Sequence, residues 1–400
     1  MPRFSKNNVV VAGHICLDII PNLGSVPAGK FLDLFKPGLM IQIGPPTLSS
    51  GGPVSNTGLA LHILGMNTRL MGKIGDDMYG HAVLQILEKF GTKLSKDMII
   101  DPSVTTSYTI IISPPGIDRM FLHHSGANNT FCSEDVQYDV VEQADIFHFG
   151  YPPVMKRIIA QDGEELTKIF QRAKTSGVTT SLDMCFPDPG SEGGLADWRK
   201  ILSQTLPFVD IFSPSIEEIL FSLCRETYNK MIQAGGKFLD RITPALLQDI
   251  SQELMEMGAK IVLLKLGDRG LYLRTTKLVH LHRLGKGKPE PILEWENQEL
   301  WTPCFEVDVV GTTGSGDATI AGFLSAILRD YPPRKAITSA VAVGAFNVEA
   351  ADALSGLRSW EVTQERIQSG WQKRSLKIDG PGWFWDDENS LWLGPAIFSG

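Results

Sequence analysis

The stretch Gly311-Thr312-Thr313-Gly314-Ser315-Gly316-Asp317 is the part of this sequence that says most about its fold. It follows an apolar run, Phe305 to Val310, and precedes a segment whose apolar residues recur at helical spacing from Ile320 to Leu328. The pattern predicts a strand, a glycine-rich turn and a helix. Backbone N–H groups at the N-terminus of such a helix bind anions, above all phosphate.

Asp317 is an unusual residue to find beside a phosphate-binding turn. A Walker loop, G-x-x-x-x-G-K-[ST], is matched by Gly311 and Gly316 but requires lysine at position 317. A dinucleotide fingerprint that begins at Gly314 fails at Thr319. A carboxylate here suits a group that accepts the proton of an attacking alcohol during phosphoryl transfer. The motif alone supports equally a second role, in which Asp317 only caps its helix.

The composition is that of an ordinary globular protein of 400 residues. Its formal net charge of −8 argues against nucleic acid or an anionic membrane as the main partner. The five cysteines are scattered and form no C-x-x-C pair, which indicates reduced thiols and predicts a cytoplasmic protein. The sequence predicts no membrane span, because no window approaches ~20 consecutive apolar residues.

Short β-branched runs alternate with amphipathic segments along most of the chain. The strand candidates are residues 9–12, 146–149, 179–184, 210–212 and 261–266, and the helix candidates are residues 79–90, 154–176, 194–204, 216–226 and 243–258. This alternation predicts an α/β fold in which a mostly parallel sheet lies between two layers of helices.

Four segments depart from the alternation. Residues 36–48 and 105–124 are strand-like, and the second predicts a hairpin, so we expect a small accessory β lid. An edge extension of the main sheet is the alternative. Residues 284–302 are polar and predict a long surface loop. Residues 357–400 are rich in tryptophan and predict a C-terminal extension, with an aromatic hairpin, packed on the domain.

These features resemble the ribokinase-like, PfkB-type carbohydrate kinase family from about Val9 to Gly356. The family signature Asp-Thr-x-Gly-Ala-Gly-Asp is matched by residues 311–317 except at two positions, and Gly51 to Asn56 resembles the N-terminal signature. The resemblance implies a ribokinase-like three-layer α/β/α domain at residues 1–356. Its lid segments would span about 14–48 and 102–128. It also implies transfer of the γ-phosphoryl group of ATP to a hydroxyl of a sugar or related polyol.

The resemblance also implies roles for individual residues. Asp317 would be the catalytic base, and the anion hole would consist of Gly314, Ser315 and Gly316. The sugar would be bound by Asp18, Gly51, Gly52 and Asn56. ATP would be contacted by Ser215, Lys265, Gly267, Gly270 and Thr312, and Glu218 would help to hold Mg²⁺.

Two positions depart from the family pattern. Gly311 replaces an aspartate that helps to form the monovalent cation site of potassium-activated relatives, so potassium dependence is open. Ser215 replaces the asparagine of the Asn-x-x-Glu motif that helps to hold magnesium. Two alternatives remain: a nucleoside kinase of the same fold, and a non-catalytic sugar-binding regulatory protein. The family's lids often pair two subunits, so the resemblance is compatible with a homodimer, and the oligomeric state is open.

Four further residues have open roles. His123 and His124 lie next to each other on a predicted strand, so at most one of them faces a substrate. His14 follows the first strand and suits a site contact as well as core packing. Asp183, at a strand end, either lines the phosphate region or caps a turn.

Overall fold

The computed structural model describes residues 6–24, 36–113 and 120–398. Within these ranges the strands are β1 (Asn8–Gly13), β2 (Cys16–Asn22), β3 (Gly44–Gly51), β4 (Asn67–Met71), β5 (Lys73–Gly75), β6 (Ile99–Asp101), β7 (Tyr108–Ile112), β8 (Met120–His124), β9 (Ile146–Gly150), β10 (Thr179–Leu182), β11 (Ile211–Phe212), β12 (Ile261–Lys265), β13 (Leu271–Thr275), β14 (Glu299–Thr302), β15 (Phe384–Asp386) and β16 (Leu391–Leu393).

The helices in the same ranges are α1 (Pro53–Ile63), α2 (Met78–Phe90), α3 (Tyr138–Val141), α4 (Lys156–Thr175), α5 (Glu192–Leu195), α6 (Trp198–Thr205), α7 (Ile216–Leu223), α8 (Arg225–Gln233), α9 (Pro244–Glu256), α10 (Leu278–Leu281), α11 (Ser315–Leu328), α12 (Pro333–Val348) and α13 (Trp360–Gln368). None of these helices has both the length and the hydrophobicity that a membrane span requires.

The main sheet has the strand order β15-β16-β14-β13-β12-β11-β10-β9-β1-β4. All neighbours from β4 to β12 are parallel, and all neighbours from β12 to β15 are antiparallel. Along β1, Val9 and Val11 enter one apolar core while Val10 and Ala12 enter the other. Because successive strand residues face opposite sides, helices cover both faces of the sheet. The prediction of a three-layer α/β/α fold is confirmed.

The lid is a separate four-stranded sheet with the order β3-β2-β7-β8. Its strand β2 follows β1 after only two residues, so the lid is connected directly to the main sheet beside its edge strand β4. The predicted hairpin is confirmed, because β7 and β8 pair antiparallel with Thr109 opposite His123. The hairpin turn and residues 25–35 lie outside the described residues. The alternative of an edge extension is wrong.

The predicted strand Phe305 to Val310 is wrong. Phe305 forms an isolated bridge with Lys373, and strand pairing does not continue through residues 306–310, all of which the structure describes. Val309 and Val310 are 59% and 64% exposed. The apolar run predicts a buried strand, but Val309 and Val310 contact solvent. The segment therefore leads into the glycine-rich turn without regular secondary structure.

The prediction of a surface loop at 284–302 is wrong for its last four residues, which form strand β14. Strand β14 is buried throughout and lies between β13 and β16 in the main sheet. Its polar residue Glu299 is buried with partners, since Tyr272 donates a hydrogen bond of 2.9 Å to Oε1 and the Ala396 amide donates one of 2.9 Å to Oε2. Because Glu299 is buried in hydrogen bonds, β14 lacks the continuous apolar run by which a buried strand is predicted.

The aromatic hairpin near the C-terminus is present and belongs to the main sheet. Trp385 lies opposite Trp392 in the β15–β16 pair, and β16 pairs with β14 through Leu300 and Leu393. The hairpin therefore covers the edge that β14 would otherwise expose. The division of the chain at residue 356 remains a prediction.

Candidate active site

Asp317 lies in the first turn of α11 and is 2% exposed. The helix begins after Gly314, whose φ of 72° is left-handed and whose Cβ position would lie 2.6 Å from the Cβ of Ala353. Glycine is required there because a side chain would be strained and would clash. The sequence-predicted turn and helix are both present, and together they bring the carboxylate to the carboxyl ends of the parallel strands.

The Asp317 carboxylate accepts three hydrogen bonds, all from other segments. Oδ2 accepts from Asn56 Nδ2 at 3.0 Å and from the Tyr151 hydroxyl at 2.9 Å, and Oδ1 accepts from Thr57 Oγ1 at 3.0 Å. Burial raises the pKa of Asp317, although these donors and the Lys265 ammonium act in the opposite direction. A residue that only caps its helix would not need three partners from elsewhere, so the arrangement favours the functional role.

The paired glycines that precede α1 hold that helix close to the lid. Gly52 has a φ of 85°, and a Cβ there would lie 2.5 Å from the His14 carbonyl oxygen. A Cβ on Gly51 would lie 2.3 Å from Asp18 Oδ2. Because no side chain fits at either position, α1 can start beside Asp18 and direct Asn56 at Asp317. Asn56 Oδ1 is buried and has no hydrogen-bond partner among the described residues.

Asp18 lies within lid strand β2. The Cys16 thiol donates to its Oδ1 at 3.3 Å. Burial raises the pKa of Asp18 to about 6, and hydrogen bonds from Cys16 and Thr109 act in the opposite direction. This carboxylate is thus buried with one thiol and one hydroxyl as its donors, both from the lid itself.

The two lid histidines point in different directions, as strand alternation predicts. His123 lies 3.4 Å from His14, Nε2 to Nε2, and 3.0 Å from Thr109 Oγ1 through its Nδ1. His124 bonds to Thr105 at 3.1 Å instead. His123 is therefore the histidine that faces the core, and it connects the lid to His14 beside the glycine pair. Burial lowers the pKa of both His14 and His123, so both are neutral near pH 7.

Lys265 ends β12 in a group of acidic residues. Its Nζ lies 2.6 Å from Asp183 Oδ1, and a Cβ on Gly316 would lie 3.6 Å from the same Nζ. Burial lowers the pKa of Lys265, but the charges of Asp183 and Glu218 outweigh it and the net direction is upward. The ammonium is therefore retained beside the glycine-rich turn, where a phosphate would sit. Asp183 thus pairs with Lys265 near the glycine-rich turn, and its role in lining the phosphate region remains a prediction.

Glu218 and Ser215 form a capping box at the start of α7. The Ser215 amide donates to Glu218 Oε2 at 2.6 Å, and the Glu218 amide donates to Ser215 Oγ at 3.2 Å. Ser215 also bridges to Lys265 across the sheet, which places Glu218 beside the same group. Glu218, Asp183 and Asp317 are three carboxylates near one ammonium. The group therefore carries more negative than positive charge.

The other residues predicted to contact ATP lie in turns, and the backbone of two of these positions requires glycine. Gly267 and Gly270 have φ angles of 52° and 95° and form the turn from β12 to β13. A Cβ on Gly270 would lie 1.9 Å from the Thr302 carbonyl oxygen. The Thr312 carbonyl accepts from the Ser315 amide at 3.3 Å, so one of the three predicted anion-hole amides is engaged within the turn itself. The Gly316 amide lies in the first helical turn, where intrahelical acceptors are lacking.

Tyr151 and Thr57 contact Asp317, but no sequence motif above predicts either contact. Tyr151 directly follows β9, and ligands of open α/β sheets bind beyond the carboxyl ends of the strands. That rule could have identified the tyrosine. Thr57 follows the motif residue Asn56, but nothing in its position shows that it would face Asp317.

The pfkB family carbohydrate kinase model matches residues 6–360. The chain is 23% identical over 330 residues to a probable fructokinase-5 of Arabidopsis thaliana, covering 80% of this chain and 83% of the relative. It is 24% identical over 339 residues to an ATP-dependent ribose-1-phosphate kinase of Halopiger xanaduensis, covering 84% and 90%.

Two solved structures share the fold. One is Arabidopsis thaliana ribokinase complexed with ribose and ATP, with a TM-score of 0.66 and 18% identity over 91% of this chain and 99% of that one. The other is the Methanocaldococcus jannaschii nucleoside kinase, with a TM-score of 0.60 and 18% identity over 91% and 99%. The resemblance drawn from the motifs is confirmed: the chain belongs to the pfkB family of carbohydrate kinases, which transfer phosphate to a sugar hydroxyl.

Proposed function

We propose that this kinase transfers the γ-phosphoryl group of ATP to a hydroxyl of a sugar or related polyol, with Asp317 as the base. The observation that carries the proposal is the Asp317 carboxylate itself. It is buried in the first turn behind Gly314 and is hydrogen-bonded by side chains from other segments. Support also comes from the plant ribokinase of the same fold, which was solved with ribose and ATP.

In the proposed reaction the acceptor hydroxyl gives its proton to Asp317 while its oxygen bonds to the γ-phosphorus. The bond from that phosphorus to the β–γ bridging oxygen breaks, and ADP leaves. Charge on the transferring group is stabilised by amides of the Gly314–Gly316 turn and by the Lys265 ammonium. Positioning contributes most of the catalysis, since phosphoryl transfer needs little covalent chemistry from the protein.

We assign Mg²⁺ to Glu218, the acid of the segment that resembles the Asn-x-x-Glu motif. The supporting observation is the excess of carboxylates over ammonium groups around Lys265. When bound, the ion would neutralise charge on the ATP phosphates. Glu218 Oε2 is engaged by the Ser215 amide, so Oε1 is the oxygen available to the ion or to its water ligands. The residues that contact ATP would include Ser215, Lys265 and the turn residues Gly267, Gly270 and Thr312.

We assign the acceptor to the space between lid and core. Asp18 and the unpartnered Asn56 Oδ1 are acceptors for sugar hydroxyls, and the absence of side chains at Gly51 and Gly52 lets the start of α1 lie against Asp18 and His14. A buried acceptor that lacks a donor loses hydrogen-bond free energy, which a hydroxyl ligand restores. This pairing favours a polyhydroxylated, uncharged region of the acceptor.

The test is a substrate panel read by ADP release. D-Fructose, D-ribose, ribose 1-phosphate and adenosine are offered with Mg-ATP to the wild type and to Asp317→Asn. We expect ADP formation with a sugar in the wild type only. Turnover with adenosine alone would instead identify a nucleoside kinase. Thermal stabilisation by sugars without any ADP would identify a sugar-binding regulatory protein and overturn the proposal.

We further propose a cytoplasmic homodimer formed through the lid. The lid strands expose apolar side chains, with Leu48, Phe121 and Leu122 each more than half exposed. Such a surface is typical of an interaction site. The cysteines in the described ranges are unpaired, which suits a reducing compartment. Light scattering of the wild type and of Phe121→Ser would test the dimer, and a monomeric wild type would contradict it.

A further inference from the structure

Tyr151 has a backbone conformation that its sequence context disfavours. Its φ of 62° and ψ of 41° are left-handed, which is uncommon for a residue with a large side chain. The next residue is Pro152, and a proline normally keeps the residue before it extended. Strain of this kind persists where surrounding contacts impose it, and it concentrates at functional sites. The conformation turns the Tyr151 ring toward Asp317.

The Tyr151 hydroxyl donates a hydrogen bond to the proposed base. Its oxygen lies 2.9 Å from Asp317 Oδ2, and its ring centroid lies 6.2 Å from that of His14. Burial, together with the Asp317 and Asp183 charges, raises the pKa of Tyr151 well above its ordinary value. The phenol therefore stays protonated and cannot itself act as the base.

The hydrogen bonds of Asp317 distinguish its two oxygens. A carboxylate offers about four lone-pair positions, two on each oxygen. Asn56 and Tyr151 fill the two positions of Oδ2, and Thr57 fills one position of Oδ1. The contacts thus leave a position on Oδ1 for an acceptor hydroxyl. Without the tyrosine, Oδ2 would also be open and the carboxylate could rotate.

We propose that in the phosphoryl transfer proposed above, on which this inference rests, Tyr151 is a positioning residue. Its phenol donates a hydrogen bond to Asp317 Oδ2 and fixes the carboxylate, so that Oδ1 is the oxygen that accepts the proton of the acceptor hydroxyl. The proton passes from the acceptor hydroxyl to Oδ1, the hydroxyl oxygen bonds to the γ-phosphorus, and ADP leaves with the electrons of the broken bond. Tyr151 keeps its own proton throughout.

Several charged or titratable groups face Asp317 and set its protonation together with Tyr151. They are Lys265 at the end of β12, Asp183 and Cys185 after β10, and Glu218 on α7. Tyr151→Phe leaves all of them in place and removes one donor to the ionised carboxylate. Losing that donor raises the pKa of Asp317, so activity that needs the ionised form should be lost at a higher pH than in the wild type.

The experiment compares Tyr151→Phe with Tyr138→Phe. The control tyrosine is also largely buried, but its hydroxyl has no hydrogen-bond partner in the described part of the chain, and Arg172 lies 3.7 Å over its ring. We expect Tyr151→Phe to lower kcat on the order of 10- to 100-fold at pH 7. The acceptor KM should change little, and the acidic limb of the kcat profile should move to higher pH. Tyr138→Phe should match the wild type in all three.

An unmoved acidic limb in Tyr151→Phe would overturn the proposal, whether or not kcat falls, because a merely structural tyrosine would lower kcat alone. Asp317→Asn in the same assay separates the two claims. If Asp317→Asn retains normal turnover, Asp317 is not the proton acceptor, and the proposed function is wrong on that point. If Asp317→Asn is inactive while Tyr151→Phe resembles the wild type across pH, only the positioning role fails.

A second measurement does not depend on the folding of any variant. The wild type is crystallised with β,γ-methylene-ATP and the sugar that the ADP-release panel selects. We expect a sugar hydroxyl within hydrogen-bond distance of Asp317 Oδ1 while Tyr151 remains on Oδ2. A sugar hydroxyl that has displaced Tyr151 from Oδ2 would overturn the proposal.

Discussion

Two buried acids, Asp317 in the core and Asp18 in the lid, are held in different ways. Asp317 accepts hydrogen bonds from three donors, two on α1 and one on the residue after β9. Asp18 has a thiol and a hydroxyl from the lid itself. The core thus prepares its carboxylate before any substrate binds, while the lid leaves its carboxylate short of donors. In the proposed function, this contrast makes Asp317 a preformed base and Asp18 a binding group that the substrate completes.

The largest effect should come from the core acid. Asp317→Asn should lower kcat by about 10²–10⁴, because a neutral amide cannot accept the proton of the acceptor hydroxyl. ATP binding should be nearly unchanged, since the turn and Lys265 remain. The measurements are ADP release and calorimetric ATP titration. Near-normal turnover by a folded Asp317→Asn variant would show that the core carboxylate does not act as the base.

The lid acid should act on binding rather than on chemistry. Asp18→Asn should raise the acceptor KM by roughly 10- to 100-fold, which is the usual cost of losing hydrogen bonds to a charged group. The kcat should fall much less. Glu164→Gln, at an exposed acid of α4 that pairs with Lys168, is the control. If Asp18→Asn lowers kcat and leaves KM alone, the two acids do not have the separate roles assigned to them.

The pKa of Asp18 gives this comparison a pH signature. Because burial raises that pKa to about 6, the wild-type acceptor KM should rise as the pH falls below about 6, where the carboxyl takes a proton. Asp18→Asn should have a high acceptor KM without this dependence. The folded-state pKa lies above the unfolded one, so ionisation of Asp18 also costs stability as the pH rises from about 4 to about 6. Melting temperatures of the two proteins across that range should therefore converge at acidic pH.

A smaller effect concerns the motion of the lid relative to the core. Hydrogen exchange in residues 36–48 and 105–124 should slow when sugar binds, and more than with ATP alone. Closure excludes water, which competes with the sugar as phosphoryl acceptor. Peptides from the core helix α11 provide the internal reference. Identical exchange in free and saturated enzyme would show that the lid is static, and its acid would then be as preformed as Asp317.

The smallest effect should be that of potassium. Initial rates in matched sodium and potassium buffers should be equal, because Gly311 brings no carboxylate to the turn before Asp317. A Cβ at this position would lie 2.8 Å and 2.9 Å from the carbonyl oxygens of Ala350 and Ala351. A large rate increase specific to potassium would show that backbone carbonyls suffice to hold the ion.

The sequence alone determined the features that depend on local geometry. Glycines at 314 and 316 with Asp317 between turn and helix, the helical periodicity of α2, and the opposite facing of His123 and His124 follow from backbone angles and residue spacing. These predictions hold because 3.6- and 2-residue periods are imposed by the chain itself. Residues 305–310 are the counter-example. Their apolar spacing predicts a buried strand, but spacing alone does not show whether the apolar side chains face the core or the solvent.

Only the tertiary structure decided which groups meet. Asn56, Thr57 and Tyr151 are 261, 260 and 166 residues from Asp317, and their convergence depends on the order in which β1, β9 and the later strands enter the sheet. The burial of Glu299 in β14 likewise depends on Tyr272 and on the C-terminal segment. Hydrogen bonds between distant residues have no signature in sequence spacing, because the free energy that selects them arises only when the whole sheet is packed.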